Sequence, residues 1–261
     1  MKRALTIAGS DPSGGAGIQA DLRTFWNFGV YGLSVITSAT AQNTAGVWAL
    51  RPLPARFVAR QIDTIFTDIE IQAVKTGMLH RGSIVKAVCQ KLKRYKVQNL
   101  VVDPVMSATG GTALLDPHGV ELLRADLLPL AKVVTPNLFE AQILAEIEPV
   151  RSLDGMRRAA ERLWKLGPQF VLVKGGHLEE QAVDVLFDGS RFWEFRAERI
   201  PQGAHGTGCV FSAAITASLA RGRDVPEAVQ RAKQFITQAI ASSMKLGKGQ
   251  RVLNLGPQAA L

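Results

Sequence analysis

Short, almost wholly apolar runs alternate with longer amphipathic stretches along this chain. Residues 4–8, 31–37, 71–75, 100–102, 133–134 and 170–173 read as buried strands, each stopped by glycine, proline or polar residues. Between them, residues 18–28, 54–66, 83–95, 117–128 and 153–166 carry apolar side chains at helical spacing, and Pro136 opens a further helix. Strands without polar alternation suit a sheet covered on both faces. The pattern therefore predicts an α/β fold, a three-layer sandwich with a mostly parallel central sheet flanked by helices. Residues 182–187 and 191–195 flank Asp188-Gly189 and predict a hairpin. A small-residue helix follows the glycine-rich stretch 203–209, and residues 226–244 form a last helix. Thr40 to Thr44, polar or small throughout, reads as a loop. No composition break divides the chain, so residues 1–261 read as one domain.

The glycine-rich stretch Gly203-Ala-His-Gly-Thr-Gly-Cys209 carries the strongest chemical signal. Glycines let backbone N–H groups converge, and a helix start adds unpaired donors and positive dipole, which together suit a phosphate. Cys209 at that start is expected to have a lowered thiol pKa. The plain alternative is a tight turn before a core helix with a buried cysteine. Other polar residues stand at strand ends, where open α/β sheets bind ligands: Asp103 after residues 100–102, and Lys174 before two glycines. Glu140, on the first turn of its helix, either favours the dipole or reaches Mg²⁺ through water. Asp21 is a possible acceptor for a polar ligand over the first strand, and Gln42 can both donate to and accept from a heterocycle. Two other phosphate signatures fail. Gly15-Ala-Gly-Ile-Gln-Ala20 matches a dinucleotide fingerprint but lacks the ribose-binding acid at the next strand end, and no P-loop occurs.

Composition narrows the partners. A formal charge of +9 favours anionic ligands, but the basic clusters at 91–96 and 157–165 lie on amphipathic helices, and no aromatic-rich basic motif indicates nucleic acid. Two cysteines without metal spacing fit a reduced, cytoplasmic setting, and no signal peptide is read at the N-terminus. Residues 24–50 are uncharged through Leu50, but polar residues and glycines interrupt them, so a membrane span is not expected.

Seven blocks in order tie these stretches together: residues 8–21, 40–44, 75–79, 102–106, 135–140, 173–178 and 205–209. In them the chain resembles the hydroxymethylpyrimidine/phosphomethylpyrimidine kinases of thiamine biosynthesis, in the ribokinase-like superfamily. The resemblance implies phosphorylation of 4-amino-5-hydroxymethyl-2-methylpyrimidine by MgATP, and then of its monophosphate to the diphosphate. It implies Gly9, Asp21, Gln42, Met78 and Val105 around the pyrimidine, and Asp103 and Glu140 at the Mg²⁺. It implies Lys174, Thr207 and Asn137 on the ATP side, Gly206 and Gly208 in the anion hole, and Cys209 as base. A homodimer is common in such kinases.

Two positions depart from the resembling pattern. Ala204 stands where threonine is frequent, and Ala108-Thr109 where Ala-Lys is frequent, each removing a polar or charged group near the phosphates. A pyridoxal kinase is the nearest competing reading, and a non-catalytic pyrimidine-binding regulator on the same scaffold is another. The retained Asp103, Lys174 and 206–209 stretch weigh against the regulator.

Overall fold

The computed structural model describes residues 1–108, 111–176, 182–201 and 203–256; Thr109, His177 and Leu178 fall outside them. The chain opens β1 (Lys2–Ser10), α1 (Gly17–Asn27), β2 (Val30–Asn43), β3 (Gly46–Pro52) and α2 (Ala55–Phe66). Next come β4 (Ala73–Thr76), α3 (Gly82–Arg94), β5 (Leu100–Val102), α4 (Pro117–Leu122), β6 (Val133–Val134), α5 (Leu138–Ala145) and α6 (Leu153–Trp164). It closes with β7 (Phe170–Gly175), β8 (Ala182–Phe187), β9 (Phe192–Ala197), β10 (Ala204–His205), α7 (Thr207–Ala220), α8 (Val225–Ala241) and β11 (Arg251–Val252).

Nine strands form one sheet in the order β3-β2-β1-β4-β5-β6-β7-β8-β9. From β2 to β7 all neighbours are parallel, and β3, β8 and β9 run antiparallel to their partners. The unbroken apolar runs follow from two buried faces. In β1, Leu5 and Ile7 enter one core and Ala4 the other; in β5, Leu100 and Val102 part from Val101; in β7, Val171 and Val173 part from Leu172. Helices α2, α3, α5 and α6 cover the first face, and α1, α7 and α8 the second. Every residue of α7 from Val210 to Ala220 is buried, and its alanines let the helix lie close against the sheet.

The expected loop at Thr40–Thr44 is instead strand. β2 continues to Asn43 and pairs with β3, Gln42 opposite Val47 and Asn43 opposite Gly46. Polar residues hid this arm because its far half leaves the core, where alternation of burial replaces a continuous apolar run. The 117–128 helix is also broken, its α-turns ending at Leu122 and passing into a π-turn over Leu123–Leu127.

Candidate active site

The carboxyl ends of the parallel strands open into one cavity of about 830 Å³. Gly9 after the core of β1, Met78 beyond β4, Asp103 and Val105 beyond β5, Asn137 and Glu140 at α5, and Lys174 in β7 all face it. So do Gln42 from the β2 arm and Gly206, Thr207, Gly208 and Cys209 at the start of α7. Positions from 9 to 174 thus converge because each lies at or just beyond the end of a strand of the nine-stranded sheet, and the start of α7, entered from the separate β10–β11 pair, closes the cavity.

The start of α7 is built for an anion. Gly206 is its N-cap at φ 82°, with no side-chain cap hydrogen bond among the described residues. A Cβ at Gly206 would overlap the Gly15 carbonyl oxygen, so the turn requires glycine. A Cβ at Gly208 would come 3.1 Å from Lys174 Nζ, so the missing side chain admits the ammonium to the helix start. Lys174 Nζ donates to Asp103 Oδ1 at 3.0 Å, and Ser212 Oγ donates to Asp103 Oδ2 at 3.2 Å. Burial works upward on the Asp103 carboxyl, but the Lys174 and Lys75 ammoniums outweigh it and hold it below the ordinary range. Burial pushes the Glu140 carboxyl up to about 7, with Lys174 opposing and Asp103 adding to the rise. Asn137 and Glu140 close a capping box: Asn137 N–H donates to Glu140 Oε2, and Glu140 N–H to Asn137 Oδ1, each at 2.8 Å.

Among the described residues no cluster of three metal-ligating side chains exists. Two carboxylates on one wall still suit Mg²⁺, which takes one or two carboxylates plus substrate phosphates and keeps several waters. Glu140 ionises reluctantly because it is buried, and a dication carried in with a nucleotide would favour its charged form.

Two expectations are corrected. Cys209 does not have a lowered pKa: burial pushes its thiol up to about 11, Lys75 pulls it down, and Asp103 and Asp21 add to the rise. The helix start alone does not overcome desolvation beside two carboxylates. Asp21 does not face the cavity. It is fully buried behind it, where Oδ2 accepts from Thr6 Oγ1 at 2.6 Å and from Lys75 Nζ at 2.9 Å. Burial alone would lower the Lys75 pKa; Asp21, then Cys209 and Asp103, hold it above its ordinary range.

Asp11 and His205 line the same cavity, although nothing in the sequence assigned either a role. Asp11 ties down the first glycine loop, its Oδ1 accepting from Ser13 N–H at 2.9 Å and its Oδ2 from Ala16 N–H at 2.9 Å. His205 Nε2 lies 3.1 Å from Asp11 Oδ2 and 2.9 Å from the Gln42 side-chain amide. An Asp-x-Ser turn inside the loop was the available signal for Asp11. Nothing local indicated His205, whose partners lie 194 and 163 residues away.

An open helix start with a lysine–aspartate pair against it, at the carboxyl edge of a mostly parallel sheet, marks a small-molecule kinase of the ribokinase-like fold. The chain belongs to the phosphomethylpyrimidine kinase family, whose model matches residues 11–254. It is 44% identical over 253 residues to the hydroxymethylpyrimidine/phosphomethylpyrimidine kinase of Aquifex aeolicus, covering 96% of this chain and 99% of that one. It is 48% identical over 252 residues to a thiamine biosynthesis bifunctional protein of Geobacter sulfurreducens, covering 96% of this chain but spanning only 51% of that protein. Among solved structures, the ADP complex of Bacillus subtilis pyridoxal kinase superposes with a TM-score of 0.91 at 41% identity, over 98% of both chains. No helix among the described residues is long and apolar enough to cross a membrane.

Proposed function

We propose that this cavity transfers the γ-phosphoryl group of MgATP to the hydroxymethyl oxygen of 4-amino-5-hydroxymethyl-2-methylpyrimidine, and then to the phosphate of the product. The observation that carries the reading is Lys174, paired with Asp103, lying against the side-chain-free Gly208 at an uncapped helix start. Phosphoryl transfer depends mainly on positioning and charge stabilisation, which that arrangement supplies. Lys174, Thr207 and Asn137 hold the nucleotide phosphates, and the N–H groups of residues 206–209 receive the transferring oxygens. Asp103 and Glu140 would hold Mg²⁺, which when bound would supply positive charge to the phosphates. Gly9, Gln42, Met78 and Val105 seat the ring. Cys209 takes the hydroxyl proton as thiolate; its thiol, neutral near pH 7, first loses its own proton to solvent in the cavity, which Lys75 favours. The monophosphate, with a second pKa of about 6, needs no such base.

A coupled ADP-release assay offering the pyrimidine, its monophosphate and pyridoxal tests this. Turnover of both pyrimidines with little on pyridoxal supports it, and turnover of pyridoxal above either pyrimidine sinks it. Likeness to a pyridoxal kinase at 41% identity keeps that second reading in the assay. The working state proposed is a cytoplasmic homodimer joined along the β3 edge, where Trp48 is 75% exposed at the end of the sheet. Sedimentation giving a monomer at micromolar concentration would remove that proposal.

A further inference from the structure

Ser10, Asp11, Thr40, Gln42 and His205 form one bonded patch on the cavity wall, and counting its protons fixes an orientation that shape does not. An amide's two ends have the same outline, so its neighbours decide which end is oxygen. His205 Nε2 stands 3.1 Å from the Asp11 carboxylate, whose pKa is lowered despite burial because His205 and Ser13 bond it. An unprotonated ring nitrogen there would set a lone pair against an anion, so Nε2 carries the proton. A protonated Nε2 cannot also accept from an amide N–H, so the amide ends exchange: the Gln42 end at 2.9 Å, placed as nitrogen, is the oxygen, and it shares the ring N–H with Asp11. The other end gives the same answer. Thr40 Oγ1 donates its one proton to the Ser10 carbonyl at 2.9 Å, leaving only acceptor capacity toward the Gln42 terminus at 3.2 Å. An NH₂ group belongs at that terminus.

We infer that Asp11 and His205 are positioning residues that fix the Gln42 amide with its oxygen toward His205 and its nitrogen toward Thr40. Resting on the reading of Gln42 as a ring contact, this explains ring choice. With His205 and Thr40 each occupying one site, the amide retains one N–H and one oxygen lone pair. That donor–acceptor edge matches a 4-aminopyrimidine, whose ring nitrogen accepts beside an amino group that donates. Glutamine reads adenine by the same bidentate logic. Pyridoxal instead sets a hydroxyl beside a formyl oxygen, a pair built on two exocyclic oxygens rather than on a ring nitrogen beside an amino group. The link also explains why the first glycine loop, the β2 arm and the strand entering α7 meet at His205: ring seating and the phosphate end share a residue boundary at His205–Gly206.

The test compares the wild type with Asp11→Asn and His205→Gln. A long-range ¹H–¹⁵N spectrum of the imidazole is expected to show Nε2 protonated in the wild type. Both variants are expected to weaken hydroxymethylpyrimidine binding by about tenfold or more in calorimetry, the scale of one misdirected buried hydrogen bond. ADP affinity should stay within about twofold, and the preference for pyrimidine over pyridoxal should fall in parallel. Protonation on Nδ1 alone in the wild type, unchanged pyrimidine affinity in both variants, or equal loss of pyrimidine and ADP affinity would each overturn the inference. Wild-type protein that binds ADP but no pyrimidine overturns the ring assignment itself, an outcome distinct from the other three.

Discussion

Lys75–Asp21 and Lys174–Asp103 are near twins in geometry, with nitrogen–oxygen distances of 2.9 and 3.0 Å. Each lysine is the next-to-last residue of a parallel strand. They differ in what lies beyond the ammonium. Lys75 is sealed, with no exposure at either partner, whereas Lys174 keeps 13% of its side chain open to the cavity. A sealed pair is held by mutual need, since neither charge tolerates burial alone. An open pair has one face left for a ligand, and its charge can be spent on phosphate. The difference teaches that a perturbed lysine marks function only where the burial that perturbs it is incomplete on the side of the chemistry.

Breaking the sealed pair should have the largest effect. Lys75→Met strips the only cation bonded to a buried carboxyl whose pKa burial already raises, leaving it Thr6 alone, at a cost of about 3–5 kcal/mol read by urea unfolding. The double variant Lys75→Met/Asp21→Leu should recover most of that stability, and a double variant no more stable than the single would contradict the view of the pair as structural. At the open pair, Lys174→Met should lower kcat/KM by about 10²–10³-fold while the unfolding midpoint moves little. If stability falls as far as for Lys75, the contrast between the pairs disappears.

Cys209 lies between the two lysines electrostatically and sharpens the comparison. Cys209→Ala should lower alcohol phosphorylation by about 10²-fold and monophosphate phosphorylation much less. In the wild type the alcohol step should rise with pH toward the thiol's titration near 11, while the monophosphate step stays flat. Equal losses, or parallel pH profiles, would leave Cys209 a packing role only. The smallest effect concerns Glu140. Its carboxyl is raised from 4.5 to about 7, so ionising it costs more in the folded protein than in the unfolded chain. Stability is therefore fullest below the unfolded value and declines as pH rises through the folded one. Glu140→Gln should flatten that decline and stabilise the nucleotide-free protein at pH 8 by about 2 kcal/mol, while lowering activity with Mg²⁺. A destabilised Glu140→Gln would show the capping box to outweigh the charge.

Much of the site was legible because parallel α/β topology delivers strand ends to one edge. Asp103, Lys174, Gly206 and Gly208 were assigned from glycines and charges immediately after apolar runs, and they line one cavity. Asp21 was misread for the opposite reason. A helix acid near a glycine loop looks the same whether it faces ligand or sheet, and its lysine lies 54 residues away. The β2–β3 arm was missed because a strand outside the core loses its apolar signature. Cys209 shows a local rule overruled: a helix start lowers a thiol's pKa only when desolvation and neighbouring carboxylates do not raise it more.

By itself the sequence determined the layered α/β architecture and the tight glycine turn before α7, since both rest on local facts, the spacing of apolar residues and a glycine at Gly206 that no other residue can replace. Tertiary structure alone decided which lysine is sealed and which is open, that the Cys209 thiol is neutral, and that Gln42 meets His205. Those depend on solvent access and on charges and protons brought together from distant segments, and neither exists until the sheet is assembled.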